Sequence, residues 1–144
     1  MFSPGHAGAG AYARVGNETG VMNASPHRLI AMLFEGARKA IGQARFHMQQ
    51  GNVGRRGEAI GKAISIIESG LQASLDRNVG GEIAERLDAL YSYMTRRLLQ
   101  ANIKSDESML IEVDRLLATI EEAWTAIGPE VARMAAQGSA ETMR

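Results

Sequence analysis

The chain has 144 residues, no cysteine and zero formal net charge. That length suits one domain with a continuous core, the lack of cysteine excludes disulfide scaffolding and thiolate metal chemistry, and neutrality argues against a general nucleic-acid binder, which needs a concentrated basic face. Hydrophobic residues make up 45% of the chain and aromatics only 5%, so Leu, Ile, Ala and Met must fill the interior, which suits packed helices better than a sheet sandwich.

The neutrality hides a split. Residues 1–80 carry nine Lys/Arg against five Asp/Glu, and residues 81–144 carry seven against eleven. Either two oppositely charged halves pack on each other, or one sign serves a docking partner. The opening MFSPGHAGAG has neither the charged start nor the apolar run of a secretory signal, and no stretch approaches the roughly 18 apolar residues of a membrane span. A cytosolic protein without membrane insertion is expected.

In chain order, residues 1–25 are rich in Gly, Ala, Ser and Asn and read as a flexible N-terminal arm. Ser25-Pro26 then starts the first helix, because the Ser hydroxyl accepts from first-turn amides and Pro stands where no N–H is needed. Ile30, Leu33, Phe34, Ala37, Ile41, Ala44 and Met48 recur at three- and four-residue steps, which predicts a helix ending near Gln50-Gly51-Asn52. Ile60, Ile64, Ile67, Leu71 and Leu75 predict a second helix, entered through Gly54-Arg55-Arg56-Gly57 and closed by a hairpin at Asn78–Gly81. Ile83, Leu87, Leu90, Tyr91, Met94, Leu98 and Ala101 predict a third, with Asn102 suited to its C-terminus. Ser105 or Asp106 caps a fourth, whose stripe runs from Met109 through Val113, Leu116, Leu117, Ile120 and Trp124 to Ile127 before Gly128-Pro129 stops it.

Four amphipathic helices with short connections pack most simply as an all-α, antiparallel up-down bundle over residues 26–128, followed by a partly ordered tail over 129–144. Catalytic chemistry is hard to find. His6, His27 and His47 are scattered, and no Glu-x-x-His pair offers the ligands of a dinuclear carboxylate site. Asp106-Glu107, Glu121-Glu122, Arg55-Arg56 and Arg96-Arg97 read as solvated helix surface. Gly80-Gly81 lacks the strand and the Lys-Ser/Thr of a phosphate loop, and Glu82 puts negative charge where an anion would sit. No enzyme activity, cofactor or metal is expected.

Surplus apolar surface remains. On a helical wheel that starts at Ile60, Ala59, Ala63, Ile66 and Gly70 fall at about 240–300°, outside the core arc. Tyr93 is offset from the core face of the third helix. A shallow small-residue stripe beside an aromatic fits a groove for another helix or an extended peptide, and it equally fits close packing between neighbouring helices. Tyr12 in the arm either tacks the arm to the bundle or lies over such a groove.

A long colinear set of residues carries a resemblance: Ala11-Tyr12, Ser25-Pro26 leading into Leu29-Ile30 and Met32–Ala37, Lys62-Ala63, Ile66-Ile67, Ser74–Asp76, Gly80–Ala84, Leu90-Tyr91, Tyr93-Met94, Ala101-Asn102 and Trp124. Over about Ala11 to Ile127 the chain resembles the flagellar secretion chaperone family (FliS). The resemblance implies a helical bundle that binds the disordered C-terminal segment of flagellin one to one, blocks premature polymerisation in the cytosol and delivers the subunit to the gate of the flagellar type III export apparatus. It also implies an N-terminal arm covering part of the binding surface, with Tyr12 as the contact. The expected partner-binding residues are Tyr12, Ala59, Ala63, Ile66, Gly70 and Tyr93. Gly5–Gly10 and the tail after Gly128 match no part of the family. The competing expectation is a structural homodimer in which the same stripe packs against its own copy.

Overall fold

The computed structural model describes the backbone of residues 24–142 and the side chains of residues 24–128. Expectations for the rest of the arm, including Tyr12, lie outside the described residues. Helix α1 spans Pro26–Gln49, with the Ser25 hydroxyl accepting from the Arg28 N–H and Pro26 at the first turn, as the local chemistry requires. Helix α2 spans Val53–Ser65, capped by Asn52 Oδ1 accepting from the Arg55 N–H, and runs directly into a π-helix at Ile66–Gln72.

Helix α3 spans Arg77–Lys104 and begins earlier than the sequence suggests. The Asp76 carboxylate accepts from the N–H groups of Asn78 and Val79, so the chain reverses before Asn78, and residues 77–80 form a first helical turn. Gly81, at φ 54° and ψ −127°, then breaks that turn from the rest of the helix. The positive φ expected in this stretch is present, but it kinks a helix instead of linking two. At the far end Ser105, at φ 51°, takes the left-handed cap position assigned above to Asn102. Helix α4 spans Glu107–Thr142, its start capped by Asp106 Oδ1 accepting from the Ser108 N–H. Gly128, at φ 50°, interrupts it, and a further helical stretch follows Pro129.

Partner residue numbers fix the topology. Leu33 meets Gly70 and Gly36 meets Ile66; Arg56 bonds Asn102 and Gln72 bonds Asp88; Arg97 bonds Glu112; Arg38 bonds Asp114 and Glu121, and Arg45 bonds Glu107. Between α1 and α2, α2 and α3, and α1 and α4 one number rises as the other falls, so these neighbours are antiparallel; α3 and α4 must then be antiparallel too, which closes a ring α1–α2–α3–α4. This is the up-down bundle expected of four short-linked amphipathic helices. Its core holds Leu33, Phe34, Ile41, Ile60, Ile67, Leu71, Met94, Leu98, Leu110, Val113 and Leu117, all nearly free of solvent.

Three expectations about faces are corrected. Ile83, assigned to the core, is 70% exposed, because the Gly81 kink turns the first residues of α3 away from the bundle axis. Ile127, at the end of the α4 stripe, is exposed. Arg56, expected on solvated surface, is buried; its guanidinium donates to Asn102 Oδ1, the Asn102 carbonyl and Ser105 Oγ, placing a cation where the C-terminal carbonyls of α3 need donors.

The ring closes between the first and last helices. The His27 and Trp124 rings stack with centroids 4.9 Å apart, His27 Nε2–H donates to the Trp124 carbonyl at 2.8 Å, and Trp124 Nε1–H donates to the His27 carbonyl at 2.9 Å.

Candidate functional site

The small-residue stripe on α2 is not an open groove. Ala59 and Ala63 are buried, and so is Gly70 in the π-helix. A side chain added at Gly70 would stand 2.9 Å from Leu33 Cδ2, and one added at Gly36 would stand 3.5 Å from Ile66 Cδ1. The stripe is therefore the seam along which α1 and α2 approach closely, which is the other use of Gly and Ala at a helix surface. Ile66 is half-buried in that seam and packs against the core. Of the two uses left open by the sequence, packing is the one seen; the π-helix also shifts Gly70 from its place on a 100° wheel, since each of its turns holds an extra residue.

Tyr93 lies on the other side of the bundle, between α3 and α4, half-buried. Its hydroxyl donates to Glu112 Oε2 at 2.6 Å, Arg97 Nε donates to Glu112 Oε1 at 2.6 Å, and the Arg97 guanidinium stands 5.9 Å from the Tyr93 ring centroid. The hydrogen bond to Glu112 raises the Tyr93 phenol above its usual value, and the same bond, with Arg97, holds the Glu112 carboxyl below its usual range. The structure does not bring Tyr93 together with Ala59, Ala63, Ile66 and Gly70.

Surplus apolar surface exists elsewhere. Leu99 and Ile103, one turn apart on α3, are 53% and 81% exposed, and Val53 at the start of α2 is 62% exposed. They share one end of the bundle, because Arg56 ties the start of α2 to Asn102 and Ser105. The Gln72 amide donates to Ser92 Oγ at 2.9 Å, so the side of α3 that carries Ser92 faces α2. Arg96, Leu99 and Ile103 follow Ser92 at steps of four, three and four, which keeps them on that side. From α2, Gly57 and Val53 are one turn apart, and Gly57 faces α3, since a Cβ built there would meet the Asn102 amide at an ordinary 3.8 Å. Half-buried Ile64 continues this wall. The result is an apolar groove between α2 and α3, lined by Val53, Gly57, Ile64, Leu99 and Ile103.

Sequence reasoning missed this groove, although the signal was present. Leu99 and Ile103 are apolar, spaced by four, and lie off the stripe that carries Leu98 and Ala101. Chemistry other than binding finds no support among the described residues. Among those residues no group of His, Asp and Glu side chains could hold a metal ion, and no described helix is long and apolar enough to cross a membrane. The open cleft between α1 and α4 has its guanidinium, Arg38, engaged by Asp114 and Glu121, which raise its pKa further.

Comparison with known proteins gives a consistent answer. Residues 8–131 match the family model described as flagellar protein FliS. The chain is 54% identical over 123 residues to the flagellar secretion chaperone FliS of Salmonella typhimurium, covering 85% of this chain and 91% of that protein. It is 47% identical over 117 residues to the protein of the same name from Escherichia coli, covering 81% and 86%, and 44% identical over 116 residues to flagellar secretion chaperone FliSB of Pseudomonas aeruginosa, covering 81% and 91%. A closed helical bundle with spare apolar surface and relatives named as chaperones, not enzymes, leaves one assignment: the chain belongs to the FliS family of flagellar secretion chaperones.

Proposed function

We propose that this chain is a cytosolic chaperone that holds the disordered C-terminal segment of flagellin, prevents its premature polymerisation and hands it to a component of the flagellar type III export gate. The observation that carries the reading is the α2–α3 groove, which keeps Val53, Leu99 and Ile103 in solvent although the core is already filled. A segment that becomes ordered on binding gives up about 2–5 kcal/mol. At about 25 cal/mol per Å², burying about 200 Å² of apolar surface offsets the upper figure, and a guest that lays its own apolar face along this groove exceeds that area. Binding is thus favourable without being irreversible, as release at export requires.

Of the residues singled out from sequence, Ile66 and Tyr93 keep partial exposure and serve as secondary contacts. Ala59, Ala63 and Gly70 act indirectly, by setting how closely α1 and α2 pack. Size-exclusion chromatography with light scattering, with and without a peptide from the C-terminus of the same organism's flagellin, tests the reading. A one-to-one complex is the expected result. A dimer indifferent to the peptide would replace it with the homodimer, in which the exposed groove covers itself.

A further inference from the structure

Tyr91 carries a hydroxyl that the fold does not use. The residue is 3% exposed in the middle of α3, and burial pushes its phenol above the usual value, so it stays protonated and able to donate. No hydrogen bond reaches this hydroxyl among the described residues, whereas every side-chain nitrogen or oxygen among them that is sealed from solvent has a partner. The Tyr91 oxygen therefore still touches solvent and stands at an opening into the core.

The opening lies toward the end of the bundle that holds the start of α3. A helical side chain leans over the turn preceding its own Cα, so the Tyr91 ring points toward that end. There the α1–α4 corner is closed by the His27–Trp124 clasp, and the α2–α3 corner by Gln72 and Arg77 on Asp88. Between α3 and α4 the side-chain bonds among the described residues lie further up, at Tyr93, Arg97 and Glu112. Below them Ile83, Leu87 and Leu90 precede Met94 and Arg97 at helical steps on α3, and Leu116, Ile120 and Ile127 follow Glu112 at steps of four, four and seven on α4, so the two rows face each other. In a packed seam such rows are buried; here all six side chains are half-buried or exposed. They leave an apolar cleft, which the Gly81 kink widens by carrying Ile83 outward.

A phenol at the back of an apolar cleft sets a condition on the occupant. An apolar segment without an acceptor would strip water from the hydroxyl and leave it unpaired, whereas one with a peptide or amide oxygen at the right place exchanges that water for a direct bond. Apolar rows alone tolerate a slide by one turn; a single donor behind them does not. A second copy of the chain would present the same end, whose polar groups Gln72, Asp88 and His27 are already bonded within it. A flagellin segment brings fresh oxygens, and only about 18 Å of α3 separates Tyr91 from Ile103 in the α2–α3 groove. Resting on the reading of this chain as the holder of that segment, we infer that the α3–α4 cleft seats a further part of it and that the Tyr91 hydroxyl, by donating to one of its carbonyl or amide oxygens, fixes its register.

The experiment compares the full chain with Y91F, which lacks only the hydroxyl. Because that hydroxyl has no partner in the free protein, Y91F melts at or above the temperature of the parent. Calorimetry then finds the flagellin C-terminal peptide bound about three- to tenfold more weakly by Y91F, with the change in the dissociation rate. In the full chain isotope-labelled at tyrosine Cζ, the resonance that Y91F lacks moves when the peptide is added. Equal affinity, or an unmoved resonance, overturns the inference and leaves guest binding in place. A parent that does not bind the peptide removes the flagellin reading and the inference with it. A lower melting temperature for Y91F would show that the hydroxyl has a partner within the chain, residues 1–23 included, and a parent dimer dissolved by Y91F would assign it to a second copy; each of these results overturns the inference as well.

Discussion

A methyl group at Gly70 would meet Leu33 Cδ2 at 2.9 Å, so Leu33, itself 1% exposed in the core, would have to shift to admit it. This one distance explains why the stripe of Ala59, Ala63 and Gly70 is packing surface. It also separates two substitutions that look alike on a helical wheel. Ile66→Asp puts a carboxylate into the α1–α2 seam beside Gly36 and should cost about 2–4 kcal/mol of stability. Leu99→Asp places the same charge in solvent at the groove, so it should leave the urea midpoint almost unchanged and weaken the flagellin-peptide affinity by about tenfold or more. If calorimetry shows Leu99→Asp binding like the parent, the groove is not the contact surface.

Among the elements, the start of α3 is the most informative. Asp76 caps residues 77–80, and Gly81 then adopts φ 54° and ψ −127°, a region that residues with a Cβ enter at a cost of about 1–3 kcal/mol. Gly81→Ala should lower the free energy of unfolding by about that amount, read from the urea midpoint at constant slope; no change would mean that α3 can straighten through residue 81. The contrast with α1 shows what a single sequence makes legible. Ser25-Pro26 fixes the start of α1 through groups three residues apart, and local chemistry is what sequence records directly. At the start of α3 two local signals compete, the Asp76 cap and the Gly80-Gly81 pair, and the glycines were read as the hairpin itself. At its end, Ser105 displaces Asn102 from the cap because Arg56, 46 residues away along the chain, takes both the side chain and the carbonyl of Asn102. The groove was hidden for the same reason, since a wheel shows which side chains share a face but not which helix covers it.

For the molecule as a whole, acid sensitivity is concentrated at the groove's end. Glu112 lies below its usual value of 4.5 because Tyr93 and Arg97 donate to it, and Glu107 because Gln49 and Arg45 do. Asp106 is lowered mainly by its bond from Ser108. A carboxyl whose pKa is depressed on folding binds fewer protons in the native state, so its contribution is complete above the unfolded value and is lost as pH falls through the folded one. The melting temperature should be level near neutrality and decline below about pH 4.5, with a shallower decline in Glu112→Gln; an unaltered slope in that variant would remove Glu112 as a source.

The His27–Trp124 clasp sits at the opposite pole from these carboxylates. It joins two helices that no short connection links, so the bundle is sealed by side chains at the one corner where covalent continuity is missing. Residue 25 and residue 128 consequently emerge side by side, roughly the length of α1, or about 36 Å, from the groove. A fluorophore attached at residue 25 or 128 thus stands at the corner remote from the groove, and new chain ends cut at the Gly51 turn, with residues 25 and 128 joined across the clasp, would preserve the same ring of four.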